Sequence, residues 1–219
     1  MMCVRMLGSE AAFYPSDLFE KLFVMSNRLL SLSLAVATSV LLAGCYVPEK
    51  FATEIDVKPD GGYTFDFTGT IVNAMVAAHT ASGKTLSEKD ERELLAEAAK
   101  MRSSSGVKKA TYEGAGRYDL EIQEHKAPGQ PLDFMTMMRV RTRPDGVIVI
   151  TASEVKDVDK REFAKIGMKI NGQLSVQIPR NAEVLAHNAD STPTFGFGSY
   201  KWKIGGLDKR PMMEIRLKK

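Results

Sequence analysis

The sequence predicts an α+β domain, a mostly antiparallel β-sheet with a layer of two helices, preceded by an apolar leader. Three observations predict it. Residues 51–57 and 63–67 alternate apolar and polar side chains about the turn Pro59-Asp60-Gly61-Gly62, the mark of a half-buried hairpin. Helical spacing follows over residues 71–103, and alternation then returns to the end of the chain. Strands gathered on either side of one helical block belong to an α+β chain rather than to a repeating βαβ one.

The leader comes first in the chain. Residues 29–42 are apolar or small, follow Arg28, and lead into Leu42-Ala43-Gly44-Cys45. Fourteen such residues reach about 21 Å as a helix, short of a roughly 30 Å hydrocarbon core but right for the apolar part of a secretory signal. The order Leu, small residue, Gly, Cys resembles the lipobox of bacterial lipoproteins. That resemblance implies cleavage after Gly44, a diacylglycerol on the Cys45 thiol, and a membrane anchor on the extracytoplasmic side of the cell envelope. Tyr46 in place of Asp after the cysteine resembles lipoproteins forwarded to an outer membrane. Residues 1–24 carry Glu10, Asp17 and Glu20, unlike a basic signal start, so translation is expected to begin at Met25 or this stretch to be discarded with the signal. The expected organisation is therefore 1–24 extension, 25–44 signal peptide, 45–50 lipidated tether, and 51–219 a single domain.

In the domain, Phe51, Thr53, Ile55 and Val57 should face a core together with Tyr63, Phe65 and Phe67. Ile71, Val72, Met75, Val76 and Ala78 predict a helix through residue 80. Ser87, with Asp90 three residues on, resembles a capping box, and Leu94, Leu95, Ala98 and Met101 form the stripe of a second helix that ends at Ser103-Ser104-Ser105-Gly106. Strands are expected at 107–112, 118–123, 138–142, 147–151, 174–178, 182–186, 199–204 and 213–218, with a loop at 127–131 and a short helix or excursion at 159–166. Val147-Ile148-Val149-Ile150 is apolar on both faces and should be an inner strand.

Composition limits the function. Removing the first 44 of 219 residues leaves 175, enough for one real core, with 27 Lys and Arg against 24 Asp and Glu. So small a basic excess argues against nucleic acid as a partner. Cys3 lies in the expected leader and the lipobox resemblance implies that the Cys45 thiol is lipidated, so the domain is expected to have no thiol for a disulfide. No cofactor or metal site is expected. His79, His125 and His187 are scattered, and Glu154, Asp157 and Asp159 lack the glycine and terminal Glu of a calcium loop. Ser82-Gly83-Lys84-Thr85 lacks the earlier glycine of a phosphate loop and follows a helical pattern. No G-x-S-x-G elbow occurs.

Two features invite a binding role. Arg139, Arg141 and Arg143 fall on one face of a strand, about 6–7 Å apart. If that strand neighbours the one bearing Lys201 and Lys203, a basic sheet face for anionic lipid or glycan results; otherwise these are solvated edge charges. Phe195, Phe197, Tyr200 and Trp202, interleaved with glycine, form either an aromatic surface or the inner side of a hairpin. The run Gly172-Gln173-Leu174-Ser175-Val176-Gln177-Ile178-Pro179, followed by Val184, Asn188, Ala189 and Trp202, resembles the end of the LppM-like lipoprotein domain of actinobacteria, which implies an envelope lipoprotein fold. The expectation is a non-catalytic binding or structural module held on a membrane by Cys45, with an envelope lipid, glycan or protein as partner. The competing class is an envelope hydrolase whose site is assembled from residues distant in sequence.

Overall fold

The computed structural model describes residues 46–135, 138–194 and 198–218. The segments expected as extension and signal peptide, and Cys45, lie outside the described residues, as do Phe195 and Phe197.

The hairpin at the start of the domain forms as its alternation requires. β1 (Tyr46–Val57) pairs antiparallel with β2 (Tyr63–Asn73), and the turn is closed by Asp60 Oδ1 accepting from Gly62 N at 2.9 Å. β1 is longer than its pattern suggests. Residues 46–50, expected as a tether, are strand, paired from Tyr46 opposite Asn73 to Lys50 opposite Thr70. A bulge between Pro48 and Lys50 hides the alternation there, and Pro48 is buried rather than solvated. β2 likewise continues through Ile71 and Val72, which had read as helix. Both are almost wholly buried in the ladder, because an apolar pair satisfies either period and the waiting strand β1 decides between them.

The helices follow. In α1 (Ala74–Ala81), Asn73 is the N-cap, its Oδ1 accepting from Met75 N at 3.1 Å and Val76 N at 3.3 Å. The Ser87 capping box opens α2 (Glu88–Arg102) as expected, with Ser87 Oγ accepting from Asp90 N and the Asp90 carboxylate accepting from Ser87 N. Leu94 and Ala98 are its buried face. Beyond it lie β3 (Val107–Gly114), β4 (Arg117–Lys126), β5 (Leu132–Phe134), β6 (Met138–Thr142), β7 (Val147–Ala152), α3 (Asp157–Lys165), β8 (Asn171–Gln177), β9 (Ala182–His187), β10 (Tyr200–Ile204) and β11 (Met212–Leu217).

The strands form two sheets where the pattern had suggested one. A six-stranded sheet runs β10-β8-β1-β2-β4-β3 and a five-stranded sheet runs β5-β6-β7-β11-β9. All pairs are antiparallel except β1 with β8. β7 is an inner strand as its two-sided apolarity required, set between β6 and β11. One core joins the layers: Phe65 and Phe67 of the first sheet meet Phe134 of the second, with ring centroids 5.0 and 4.8 Å apart. Leu94 and Ala98 of α2 belong to the same cluster. Burying each such phenylalanine contributes about 1.5–3 kcal/mol.

Candidate binding crevice

The basic residues do not gather on one surface. Arg139 and Arg141 lie on β6 in the five-stranded sheet, whereas Lys201 and Lys203 lie on β10, an edge of the six-stranded sheet. The single cationic face expected from the sequence is therefore not formed, because strands close in pattern fall in different sheets. The arginines are also partnered. Arg139 Nε is 3.4 Å from Asp133 Oδ1, and Arg141 pairs with the same carboxylate while donating to the Leu132 carbonyl at 2.8 Å. Arg143 lies in the turn after β6, between Asp145 and Glu214. Its guanidinium and the Val147 amide hold Asp145 below the usual carboxylate range.

Of the two readings open for the aromatic run, Trp202 takes the inner side, while Phe195 and Phe197 lie outside the described residues. Trp202 is completely buried, its Nε1 donating to Asn188 Oδ1 at 2.8 Å. It faces inward from β10 opposite Leu174 of β8. Tyr200 is half-buried and packs edge-on against His187 at 5.0 Å. Asn188 Oδ1 also accepts from Met212 N at 2.8 Å and its Nδ2 donates to the Arg210 carbonyl at 2.7 Å. Asn188 and Trp202, two of the residues that carried the family resemblance, are thus one interlocked pair.

A second aromatic cluster sits where β1 begins. The Tyr118 hydroxyl donates to Glu97 Oε2 at 2.7 Å, and the Tyr46 ring stands edge-on to Tyr118 at 5.8 Å. Burial, with Glu97 adding to it, pushes both phenols well above their ordinary range. The histidines sit on α1, β4 and β9, and among the described residues no group of three or more His, Cys, Asp or Glu could hold a metal ion. Glu154 pairs with Arg210 and Asp157 with Lys160, leaving these acids in solvated ion pairs.

Among the described residues a concave feature lies between the sheets, and the sequence did not point to it. Phe51 and Thr53 of β1, Phe67 of β2, Phe134 of β5, Met138 of β6 and Ile204 of β10 enclose an apolar cavity of about 50 Å³. Gly172 on β8 lacks the side chain that would collide with the Phe51 ring here. The cavity adjoins a wider cleft of about 480 Å³ between α3 and residues 205–208, the two sharing Ile170, Gly206 and Leu207. The wider volume falls in the range of small-molecule sites. Ser153 lines the inner cavity, and its Oγ is buried without a hydrogen-bond partner. An unmade bond of this kind costs about 1–3 kcal/mol and leaves a donor and acceptor ready for a ligand atom. At the rim Lys160 bridges Asp157 and Asp208, at 3.1 and 2.7 Å, while the exposed Lys169 has no ion-pair partner among the described residues. The lining comes from seven strands, α3 and three loops, so no local spacing could have announced it.

The fold and crevice define a two-sheet α+β domain with an apolar cleft at one end. Neither a protein-family model nor a curated protein matches the chain. Among solved structures it is similar to the folded domain of the Mycobacterium tuberculosis LppM protein, at 13% identity and a TM-score of 0.37, over 78% of this chain and 90% of that one. Among the described residues no helix is long and apolar enough to cross a membrane.

Proposed function

We propose that this chain is a lipid-anchored protein of the bacterial cell envelope whose exported domain is a non-catalytic module that binds an anionic amphiphile. The crevice carries this reading. Its inner part offers aromatic and aliphatic walls with the buried Ser153 hydroxyl, and its rim offers the cation Lys169, neither of which has a partner among the described residues. An apolar tail with a negatively charged head satisfies both ends, the tail by area burial and the head by charge-assisted hydrogen bonding. The lipobox ending at Cys45 supplies the address, since two or three acyl chains hold a protein on a bilayer durably where one does not.

A fluorescent long-chain fatty acid serves as the probe. The domain should bind it saturably, and Gly206→Trp should abolish binding with little change in the urea midpoint. Gly206 has no atom within 4 Å of where a Cβ would sit, so the variant fills the cleft rather than the core. Lys169→Glu should weaken binding about tenfold, equivalent to about 1.4 kcal/mol. Probe binding undisturbed by Gly206→Trp would remove the crevice from the account.

A further inference from the structure

The strand that begins at Tyr46 leaves no slack between the lipidation position and the folded body. Cys45 precedes Tyr46 by one peptide unit, about 3.8 Å between Cα atoms, and Tyr46 is already half-buried and paired opposite Asn73. Any lipid on Cys45 therefore brings this end of the six-stranded sheet to the headgroups with no linker between. What stands at that end suits such a contact. α1 starts at the residue after Asn73, and Asn73 N donates to the carbonyl of Gly116 at 2.8 Å, tying the helix to the turn between β3 and β4. A Cβ on Gly116 would lie 2.7 Å from that of Val76, so helix and turn are in close contact.

α1 buries Ala77 and half-buries Val76 and Thr80, which sets its other face outward. That face carries Met75, 74% exposed and the most exposed large apolar side chain among the described residues, with Ala78 one turn on. From Asn73 to Leu86 there is no Asp or Glu, and Lys84 is the one permanent charge. The acid of β1 nearest the anchor, Glu49, is neutralised by both nitrogens of the Arg117 fork at 2.9 and 3.1 Å. An exposed methionine on an acid-free helix one strand away from a lipidated residue has a free-energy reason to sit in the interface: apolar area leaves water there and no buried carboxylate opposes it.

Resting on the lipid-anchor reading above, we propose that α1 and the loop 82–86 form a bilayer-contact surface, so that the domain sits directly on the membrane with Met75 in the interface and the opposite sheet end in water. The crevice rim at Ile204 and Gly206 lies at the anchored end of the same sheet, since Ile204 pairs with Gly172, one residue from the Asn171–Lys50 pair.

The test uses full-length lipidated protein reconstituted into vesicles of phosphatidylethanolamine and phosphatidylglycerol. Met75→Cys carries an environment-sensitive fluorophore, and Gln177→Cys is the far-end control. Gln177 pairs with Asp56, ten residues from Tyr46 along β1, or roughly 33 Å at the strand rise. The label at 75 should shift to the blue on reconstitution and become several-fold less accessible to an aqueous quencher, while the label at 177 remains unchanged. Met75→Glu in the anchored protein should raise quencher access at a label placed on Ala78→Cys. An unshifted label at 75 with the Cys45 lipid confirmed by mass spectrometry overturns the docking surface and leaves the anchor standing. A Cys45 without lipid overturns both.

Discussion

Asn188 does at one position what a turn usually does with several. Its side chain takes hydrogens from the Trp202 indole and the Met212 amide and gives one to the Arg210 carbonyl, so β9, β10 and β11 are located by one amide group. Asn188→Ala strips three bonds and leaves the buried indole N–H unpaired, a loss of roughly 2–4 kcal/mol from net contributions of about 1 kcal/mol each plus the desolvation penalty. Urea unfolding followed by the fluorescence of the single tryptophan checks it, with a large drop in midpoint expected. Tyr63 gives a pH prediction. Burial pushes its phenol from 10.0 up to about 12, with the hydroxyl donating to the Gln130 carbonyl at 2.9 Å. A folded-state pKa above the unfolded one means that stability is intact below pH 10 and falls as pH rises from 10 towards 12, where the unfolded phenol ionises first. Tyr46 and Tyr118 shift the same way, so Tyr63→Phe should flatten the alkaline loss in a urea series without removing it. An unchanged slope would mean Tyr63 does not titrate against folding.

At the scale of elements, the bulge in β1 governs how the first hairpin extends back to Tyr46. Gly69 pairs with Phe51, one residue past the bulge, and a Cβ there would lie 2.2 Å from the Lys50 carbonyl oxygen and 2.6 Å from the Phe51 Cα. Both obstacles are backbone, so neither can swing aside. Gly69→Ala should therefore cost at least about 2 kcal/mol, at the upper end of overpacking, whereas Gly83→Ala, with positive φ but open space, bears only the backbone strain of about 1 kcal/mol. Comparing their urea midpoints separates collision from conformation. The same hairpin shows what was legible in the chain and what was not. The alternation of residues 51–57, the Ser87–Asp90 box and the two-sided run at 147–150 each carry their structure within a few residues, and each formed where its pattern placed it. Residues 46–50 and Ile71-Val72 did not, because their conformation depends on each other across the ladder. β5, three residues long, has no period to read and exists only because β6 pairs with it. The crevice is further still from the sequence. Phe51 and Phe67 were legible as core-facing, but that a gap remains beside them depends on where the second sheet stops.

For the whole molecule, the consequence of two sheets around one core is cooperative unfolding. Trp202 and Leu174 of one sheet and Met213 and Ile215 of the other are each fully buried and members of a single cluster, so neither layer can separate without exposing the other's inner face. The chain also closes on itself late. β1 pairs with β8 across more than a hundred residues, Lys50 meeting Asn171, and the last strand, β11, inserts between β7 and β9. A chain ended after Gly206 keeps β10 but loses β11, leaving β7 with an open inner edge and β9 with no neighbour. Because β11 brings Met213 and Ile215 into the shared cluster, its removal should unfold the six-stranded sheet as well, although no strand of that sheet is deleted. Tryptophan fluorescence reports the packing of Trp202 on β10 and its bond to Asn188 after β9, and far-ultraviolet circular dichroism reports the strands of both sheets. In the full chain the two signals should change together over one urea transition, as for a two-state domain. In the shortened chain Trp202 should already emit as a solvated indole without denaturant. A buried Trp202 emission in the shortened chain, or two separated transitions in the full one, would show that the layers fold independently and that the core between them is an interface rather than the centre of one domain.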